Sequence, residues 1–364
     1  MKAKNPDWIV FFSVVSLMGF GIIMVFSATS VTAYQKYGDS FYFLKRQVIW
    51  SFLALIVMFL FMKIDYHRWF DKRWKPILYL GVSLVLLGVV LVVGTEINGS
   101  KRWLSIGGFT FQVSEIAKLG MVMFTAWYLD KVKDHIRNFF LGLVPILFIL
   151  AVVCGLVLME PDLGTTAVIA ATGFVMLFAA GARILHLGSL VAVSSPLVVY
   201  AMLSESYRRK RIFAFINPWE DPQGTGFHII QSLYALGSGG LFGVGLGRSR
   251  QKFFYLPEPG TDFIFSVLGE ELGLVGASIV IGLYFLLAWR GLMIALRSQD
   301  LLGAMLAVGL TTMITLQAVV NIGVVTGSLP VTGITLPFIS YGGSSLLFMA
   351  AGIGILLNIS RLKA

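Results

Sequence analysis

The chain has a single cysteine, Cys154, and four histidines among 364 residues. One thiol excludes an intrachain disulfide framework and a thiolate metal site. His67, His135, His186 and His228 stand too far apart in sequence to form a recognisable histidine metal motif. Charge is also scarce. Only 13% of residues are Asp, Glu, Lys or Arg, against about 25% in a soluble domain. Hydrophobic residues are abundant at 57%, with a mean hydropathy of +0.85. They come in blocks of about 20 residues, each able to cross a hydrocarbon core of about 30 Å. The alternating ten-residue segments of a membrane β-barrel are missing. The expected fold class is therefore an all-α polytopic membrane protein, one membrane domain over residues 1–364.

Ten spans are expected, at 8–33, 45–63, 76–94, 112–130, 139–159, 163–181, 184–203, 262–289, 300–325 and 335–360. The first has Lys2 and Lys4 before it and small residues after it, like a signal peptide. It is long for that role and more spans follow, so it reads as a retained helix. The fifth and sixth are separated only by the turn Met159-Glu160-Pro161-Asp162-Leu163-Gly164. The one long connection is 204–261, between the seventh and eighth spans. Within it, Gly224–Leu236 has helical apolar spacing with a polar face, as expected of a helix lying at the membrane interface. The glycine-rich run Gly237–Gly247 that follows lacks both the GK[ST] of a P-loop and the preceding strand of a dinucleotide fold.

Loop charges orient the chain. With the N-terminus in the cytoplasm, fifteen Lys and Arg fall on the inner side, including Lys2, Lys4 and Lys363. Five lie in or beside short outer loops, seven in the long segment, and Lys118 inside a span. Both termini are then cytoplasmic and the long segment is extracytoplasmic. The net charge of +10 is thus largely topological and is no sign of a nucleic-acid partner. The outer cations run against the insertion bias, which suggests a bound anion such as a lipid-linked phosphate or pyrophosphate.

Several residues could carry chemistry. Asp262 opens the eighth span, after Pro257, Pro259 and Gly260 fix its approach. It suits a helix cap, a general base or a metal ligand. Glu258 lies just before it. Glu270 and Glu271 follow about two turns deeper in the same helix, a costly depth unless they are paired, protonated or wet. Glu115 and Lys118, spaced i and i+3, can pair on one face. Lys101, Arg102 and Trp103 read as an interfacial anchor or a phosphate clamp. Lys45, Arg46 and the Arg208–Arg211 cluster read as snorkelling cations or as further walls of one anionic pocket. Gln317 and Asn321, one turn apart, and Ser340–Ser345 read as interhelical hydrogen-bonding groups.

The motifs together resemble the SEDS family (shape, elongation, division and sporulation). The resemblance rests on Asn217-Pro218-Trp219-Glu220-Asp221-Pro222, Gly224 to Gly247, Ser249 to Glu258, and Thr261-Asp262-Phe263-Ile264-Phe265. Asn98-Gly99-Ser100 with Arg102-Trp103, Pro161-Asp162-Leu163-Gly164-Thr165, Pro330 to Phe338 and Ser340 to Ser345 extend it over nearly the whole chain. The short Gly243–Tyr255 stretch is most similar to the division and sporulation branches, closest to the sporulation type. Two positions depart from the family pattern. Val113 stands where a proline commonly precedes Ser114-Glu115, and Gly260 stands where a histidine commonly precedes Thr261-Asp262.

The resemblance implies a peptidoglycan glycosyltransferase of the bacterial cytoplasmic membrane that polymerises lipid II at the outer face. Asp262 matches the family's essential aspartate. It would act as base toward the acceptor hydroxyl, with inversion, or hold a divalent cation such as Mg²⁺ or Mn²⁺. The outer basic residues would hold pyrophosphate. The implied partners are lipid II, the nascent glycan strand, membrane lipids, a class B penicillin-binding protein, and other division or sporulation membrane proteins. A lipid II flippase and a non-catalytic division scaffold are the alternatives.

Overall fold

In the computed structural model, residues 5–97, 100–107, 109–253 and 256–362 are described. Lys2, Lys4 and Lys363 of the charge count lie outside them, as do Asn98-Gly99 and Phe254-Tyr255 of the motifs. Ten helices coincide with the ten expected spans: α1 (Trp8–Tyr37), α2 (Tyr42–Lys63), α3 (Trp74–Val93), α4 (Val113–Lys131), α5 (Val144–Met159), α6 (Leu163–Ala179), α7 (Ile184–Leu203), α10 (Ile264–Leu296), α11 (Leu301–Val325) and α12 (Gly343–Arg361). The long connection holds two more, α8 (Ser206–Ile216) and α9 (Phe227–Gly239). Among the described residues, seven spans are long and apolar enough to cross a membrane on those grounds alone, counting the π-turn that opens α5. Of the others, α4 carries Glu115 and Lys118, α6 is 17 residues long, and α7 contains Pro196.

The core is built around α12 and α11. Nearly every α12 residue from Met349 to Ser360 is buried. It packs against α2 at close range, where a side chain on Gly354 would run into the Met58 carbonyl and Phe61. α11 lies between α4, α6 and α10. Small residues at such crossings let helix backbones approach where lipid supplies no hydrophobic drive.

Two polar rungs join α1 to α10. At one end, Arg290 Nη2 pairs with Asp7 at 2.6 Å, and Asp7 also caps α1. At the other, the Ser27 hydroxyl donates to the Glu271 carboxylate at 2.6 Å. By helical rise the rungs are about 30 Å apart on both helices, one hydrocarbon thickness.

The connection between α3 and α4 adds a feature that an all-helical reading misses. Three strands there, β1 (Thr95–Ile97), β2 (Ser100–Ile106) and β3 (Phe109–Gln112), form an antiparallel sheet. Alternation along β2 turns Lys101 and Ser105 outward, while Leu104 is buried and Arg102 partly so.

Candidate active site

The long segment folds back on itself along the start of α10. α9 begins three residues later than its spacing predicts. It runs alongside and parallel to the first turns of α10. His228 stacks on Phe263 at 5.9 Å, the Ser232 hydroxyl meets Ser266 Oγ at 2.8 Å and the Val325 carbonyl at 2.6 Å, and Leu236 covers Gly269. The glycine-rich run then folds against the break in α10. Gly273 has φ 67° and ψ −166°, so the helix cannot use its own partners there. Val244 N donates to Glu270 O (2.9 Å) and Gly245 N to Glu271 O (3.0 Å). In return, Leu274 N and Val275 N donate to Gly240 O (2.9 Å) and Leu241 O (3.1 Å). The glycines thus serve backbone-to-backbone approach and satisfy the groups that the break exposes.

The chain returns to Asp262 along a strap, 248–262. Its start is fastened by the buried carboxylates of Glu270 and Glu271, and Lys252 Nζ pairs with Glu271 at 2.8 Å. Its end is held through the backbone. Asn321 Nδ2 donates to Asp262 O at 2.8 Å and to Ile334 O at 2.7 Å, Ser340 Oγ donates to Thr261 O at 2.6 Å, and Tyr341 N donates to Gly260 O at 2.9 Å.

The Asp262 side chain is left differently. It is partly buried, and among the described residues no hydrogen bond or ion pair reaches its carboxylate. Gly333 faces it, with a φ of 74° that suits glycine, and a Cβ there would come to 3.5 Å from Oδ2. Burial pushes the Asp262 carboxyl up to about 6, with help from Glu258 and Asp162, while Arg102 and Arg211 oppose the rise. Four separate elements thus supply charge around it.

Arg102 reaches from β2 to the α5–α6 turn. Its Nε donates to Glu160 O at 2.9 Å, its Nη2 to Pro161 O at 2.5 Å, and its Nη1 lies 3.5 Å from Asp162 Oδ2. Asp162 is buried and caps α6, accepting from Thr165 N and Thr165 Oγ1, each at 2.9 Å. Arg211 comes from α8 and donates to Val331 O at 3.3 Å. Arg208 sits one turn before it on the same face and donates to the Tyr207 hydroxyl at 2.9 Å. A pocket opens beside these groups, with Arg208, Arg211 and Tyr207 on one wall and Pro161, Leu163 and Val331 on others. It has cations at the rim and apolar sides, which suits an anionic headgroup on a hydrocarbon chain.

Of the residues that the sequence suggests, Asp262, Glu258, Arg102, Arg211 and Arg208 therefore gather at one end of the bundle. Glu115 and Lys118 form a buried pair at 2.8 Å and connect only indirectly. Lys118 donates to Gln317 Oε1 at 2.6 Å, and Gln317, one turn from Asn321, donates to Thr335 O at 3.0 Å. Four others do not join the group. Lys45 is exposed and pairs with Asp39 at 2.7 Å, Arg46 lies over the Tyr42 ring at 4.5 Å, and Lys101 points away from Arg102. Trp103 is paired with Gln112 and Thr95 within the sheet.

Two acids were missed as site candidates, Asp162 and Glu160. Glu160 is fully buried, and its two oxygens have no hydrogen-bond partner among the described residues. Burial, then the neighbouring Asp162, pushes its carboxyl up to about 8. Their signal was two acids within six residues of a turn between apolar helices, which reads on its own as a hairpin.

The whole chain can be placed among known proteins. Stage V sporulation protein E of Bacillus subtilis (strain 168) is 49% identical over 362 residues, covering 99% of this chain and 98% of that one. The "Probable peptidoglycan glycosyltransferase FtsW" of Trichlorobacter lovleyi is 46% identical, covering 99% and 94%. Among solved structures, a chain of "Structural coordination of polymerization and crosslinking by a peptidoglycan synthase complex" superposes with a TM-score of 0.78 at 34% identity, over 98% of each chain. The rod shape determining protein RodA of Thermus thermophilus gives 0.72 at 32%, over 99% and 98%. Identity is higher to the sporulation and division proteins than to RodA, in keeping with the short Gly243–Tyr255 stretch. The family model FtsW/RodA/SpoVE, described as cell cycle protein, matches residues 7–364, and the chain belongs to that family.

Proposed function

We propose that this protein is a peptidoglycan glycosyltransferase of the bacterial cytoplasmic membrane, serving cell division or sporulation, with Asp262 as its catalytic base. The relatives named for that activity support the reaction class. The observation that carries the residue is the Asp262 carboxylate itself. It is partly buried, unspent on any described partner, raised to about 6, and flanked by Arg102 and Arg211. A base with a pKa near 6 is mostly ionised at neutral pH yet holds a proton better than an ordinary aspartate, which suits proton transfer in the transition state.

The substrate in this reading is lipid II. The 4-hydroxyl oxygen of the acceptor sugar attacks the anomeric carbon of the donor as the bond to the lipid pyrophosphate breaks, inverting that carbon. The hydroxyl proton passes to Asp262, and the bond electrons leave with the pyrophosphate. Arg102 and Arg211 stabilise the charge that develops on the leaving group, with Arg208 at the rim of the lipid-lined pocket. Lys45, Arg46, Lys101 and Trp103 stand apart from this centre and serve the membrane surface instead. Glu115 and Lys118 support the floor through Gln317. If a Mg²⁺ or Mn²⁺ ion takes part, Asp262 is the side chain that would hold it. Among the described residues no three His, Cys, Asp or Glu side chains gather to hold one. Such an ion would neutralise leaving-group charge.

Loop charges support cytoplasmic termini and an extracytoplasmic Asp262. The partner proposed is a class B penicillin-binding protein, consistent with the polymerisation and crosslinking complex among the structural neighbours.

The test is polymerisation of labelled lipid II by the purified protein with its partner, compared with Asp262→Asn. A loss on the order of 100-fold or more is expected. Full glycan synthesis by the folded variant overturns the assignment. Lipid II translocation without polymerisation favours the flippase.

A further inference from the structure

Glu270 is 2% exposed, and it spends both carboxylate oxygens on the start of the strap. Oε1 accepts from Arg250 N at 2.9 Å, and Oε2 accepts from Gln251 N at 3.4 Å and from the Ser249 hydroxyl. Lys252 Nζ then reaches Glu271 at 2.8 Å and Ser27 Oγ at 3.1 Å, and further along the strap bonds to itself. Leu256 N donates to Gln251 O at 2.8 Å, while Thr261 N and Phe263 N donate to Glu258 O at 3.2 and 3.4 Å. The far end is held independently by Asn321, Ser340 and Tyr341, through the carbonyls of Asp262, Thr261 and Gly260. Glu258 lies between the two anchors, and its backbone takes the constrained value φ 49°. Thr261 holds it from the far anchor, its hydroxyl donating to Glu258 Oε2 at 3.3 Å, and the Glu270 anchor sets the course of the chain that leads to it. Glu270 belongs to the helix that Asp262 leads into, so one rigid element sets both.

We infer that Glu270 is a positioning residue for the Asp262 site: by gathering three donors of the strap it fixes Glu258 beside the Asp262 carboxylate. The inference rests on Asp262 being the base. An amide in place of the acid cannot do the same work. Glutamine keeps one acceptor for Arg250 N, but its NH₂ would face the Gln251 N–H, donor against donor. The strap would loosen at 249–251 while the far end stayed held.

The test uses Glu270→Gln and Ser249→Ala in the full-length protein with its partner, read by amide hydrogen exchange and by the pH profile of lipid II polymerisation. For Glu270→Gln, faster exchange is expected at Arg250, Gln251 and Leu256, with α11 and α12 unchanged. The turnover number should fall roughly tenfold with less change in KM. The acidic limb of the profile should move to lower pH as repulsion from Glu258 weakens. Ser249→Ala removes one donor of three and should shift the same readouts less. Wild-type exchange and a wild-type acidic limb in both folded variants overturn the inference. If Glu270→Gln does not fold, the same result in Ser249→Ala overturns it. An inactive wild type refutes the catalytic reading instead, and the exchange data still decide whether Glu270 fixes the strap.

Discussion

Two carboxylate clusters flank the entry to α10, and they are built in opposite ways. Glu270 and Glu271 are buried, and their oxygens take donors from Ser249, Arg250, Gln251, Ser27 and Lys252. Lys252 supplies the opposing charge. Asp262 sits with two other acids, Glu258 and Asp162, and two guanidinium groups, yet its own carboxylate is spent on no described partner. The first cluster uses its electrostatics to hold the chain. The second leaves them available beside a pocket. Nearness of acids to the end of a membrane bundle is therefore a poor guide to function, and incomplete satisfaction of a partly buried acid is a better one.

The comparison breaks most readily at the satisfied cluster. Glu271→Ala strands a buried ammonium and should cost about 3–5 kcal/mol. Thermal unfolding in detergent should show a large fall in Tm. Removing both charges, as Lys252→Met with Glu271→Leu, should recover most of that loss, since apolar replacement of a buried pair is often neutral. A single variant as stable as wild type would mean that the pair is solvated and the contrast false. At the open cluster the same kind of change should act on rate instead. Arg102→Ala is expected to lower polymerisation on the order of 100-fold with a smaller effect on Tm. Arg102→Lys should not restore it, because one ammonium cannot reach Glu160 O, Pro161 O and Asp162 together.

The helices were legible because each apolar block is long enough to span a bilayer and turns are marked by Pro, Gly and charge. Asp262 was legible as a site only through its motif, since Thr261-Asp262 before an apolar run reads equally well as a cap. Arg102 was visible as one of two adjacent cations, and choosing it over Lys101 needs the strand alternation of β2. Asp162 comes to act on Asp262, and Glu160 on Asp162, only when the α5–α6 turn packs under Arg102, which no spacing encodes. The glycine run could not be interpreted before the break at Gly273 was known, because its partners lie about 30 residues away in α10. Lys252 and Glu271 form a pair for the same reason, through a hairpin whose depth depends on how α9 meets α10.

A smaller effect sharpens the contrast through pH. Activity should fall about tenfold per unit below pH 6 as Asp262 takes up its proton and ceases to act as base. The acid pushed up to about 8, Glu160, faces no described partner and should add no second limb in that range. A rate that stays flat down to pH 5 would remove Asp262 from proton transfer.

The smallest expected effect concerns stability, and its sign separates the clusters. The Asp262 carboxyl is raised from an ordinary 3.8 to about 6, so the folded protein binds this proton more tightly than the unfolded chain does. Between those values folding takes up protons, and the contribution of Asp262 to stability falls as pH rises. Above about pH 6 the folded protein carries the full cost of an ionised, partly buried acid beside Glu258 and Asp162. Asp262→Asn removes that cost. The variant should therefore unfold at a slightly higher temperature than wild type at pH 7.5, and at the same temperature near pH 3, where Asp262 is protonated in both the folded and the unfolded chain. Glu271→Gln should do the reverse at pH 7.5, because it takes the counter-charge from Lys252. A lower Tm for Asp262→Asn at pH 7.5 would mean that Arg102 and Arg211 already satisfy the carboxylate, and that the two clusters are alike.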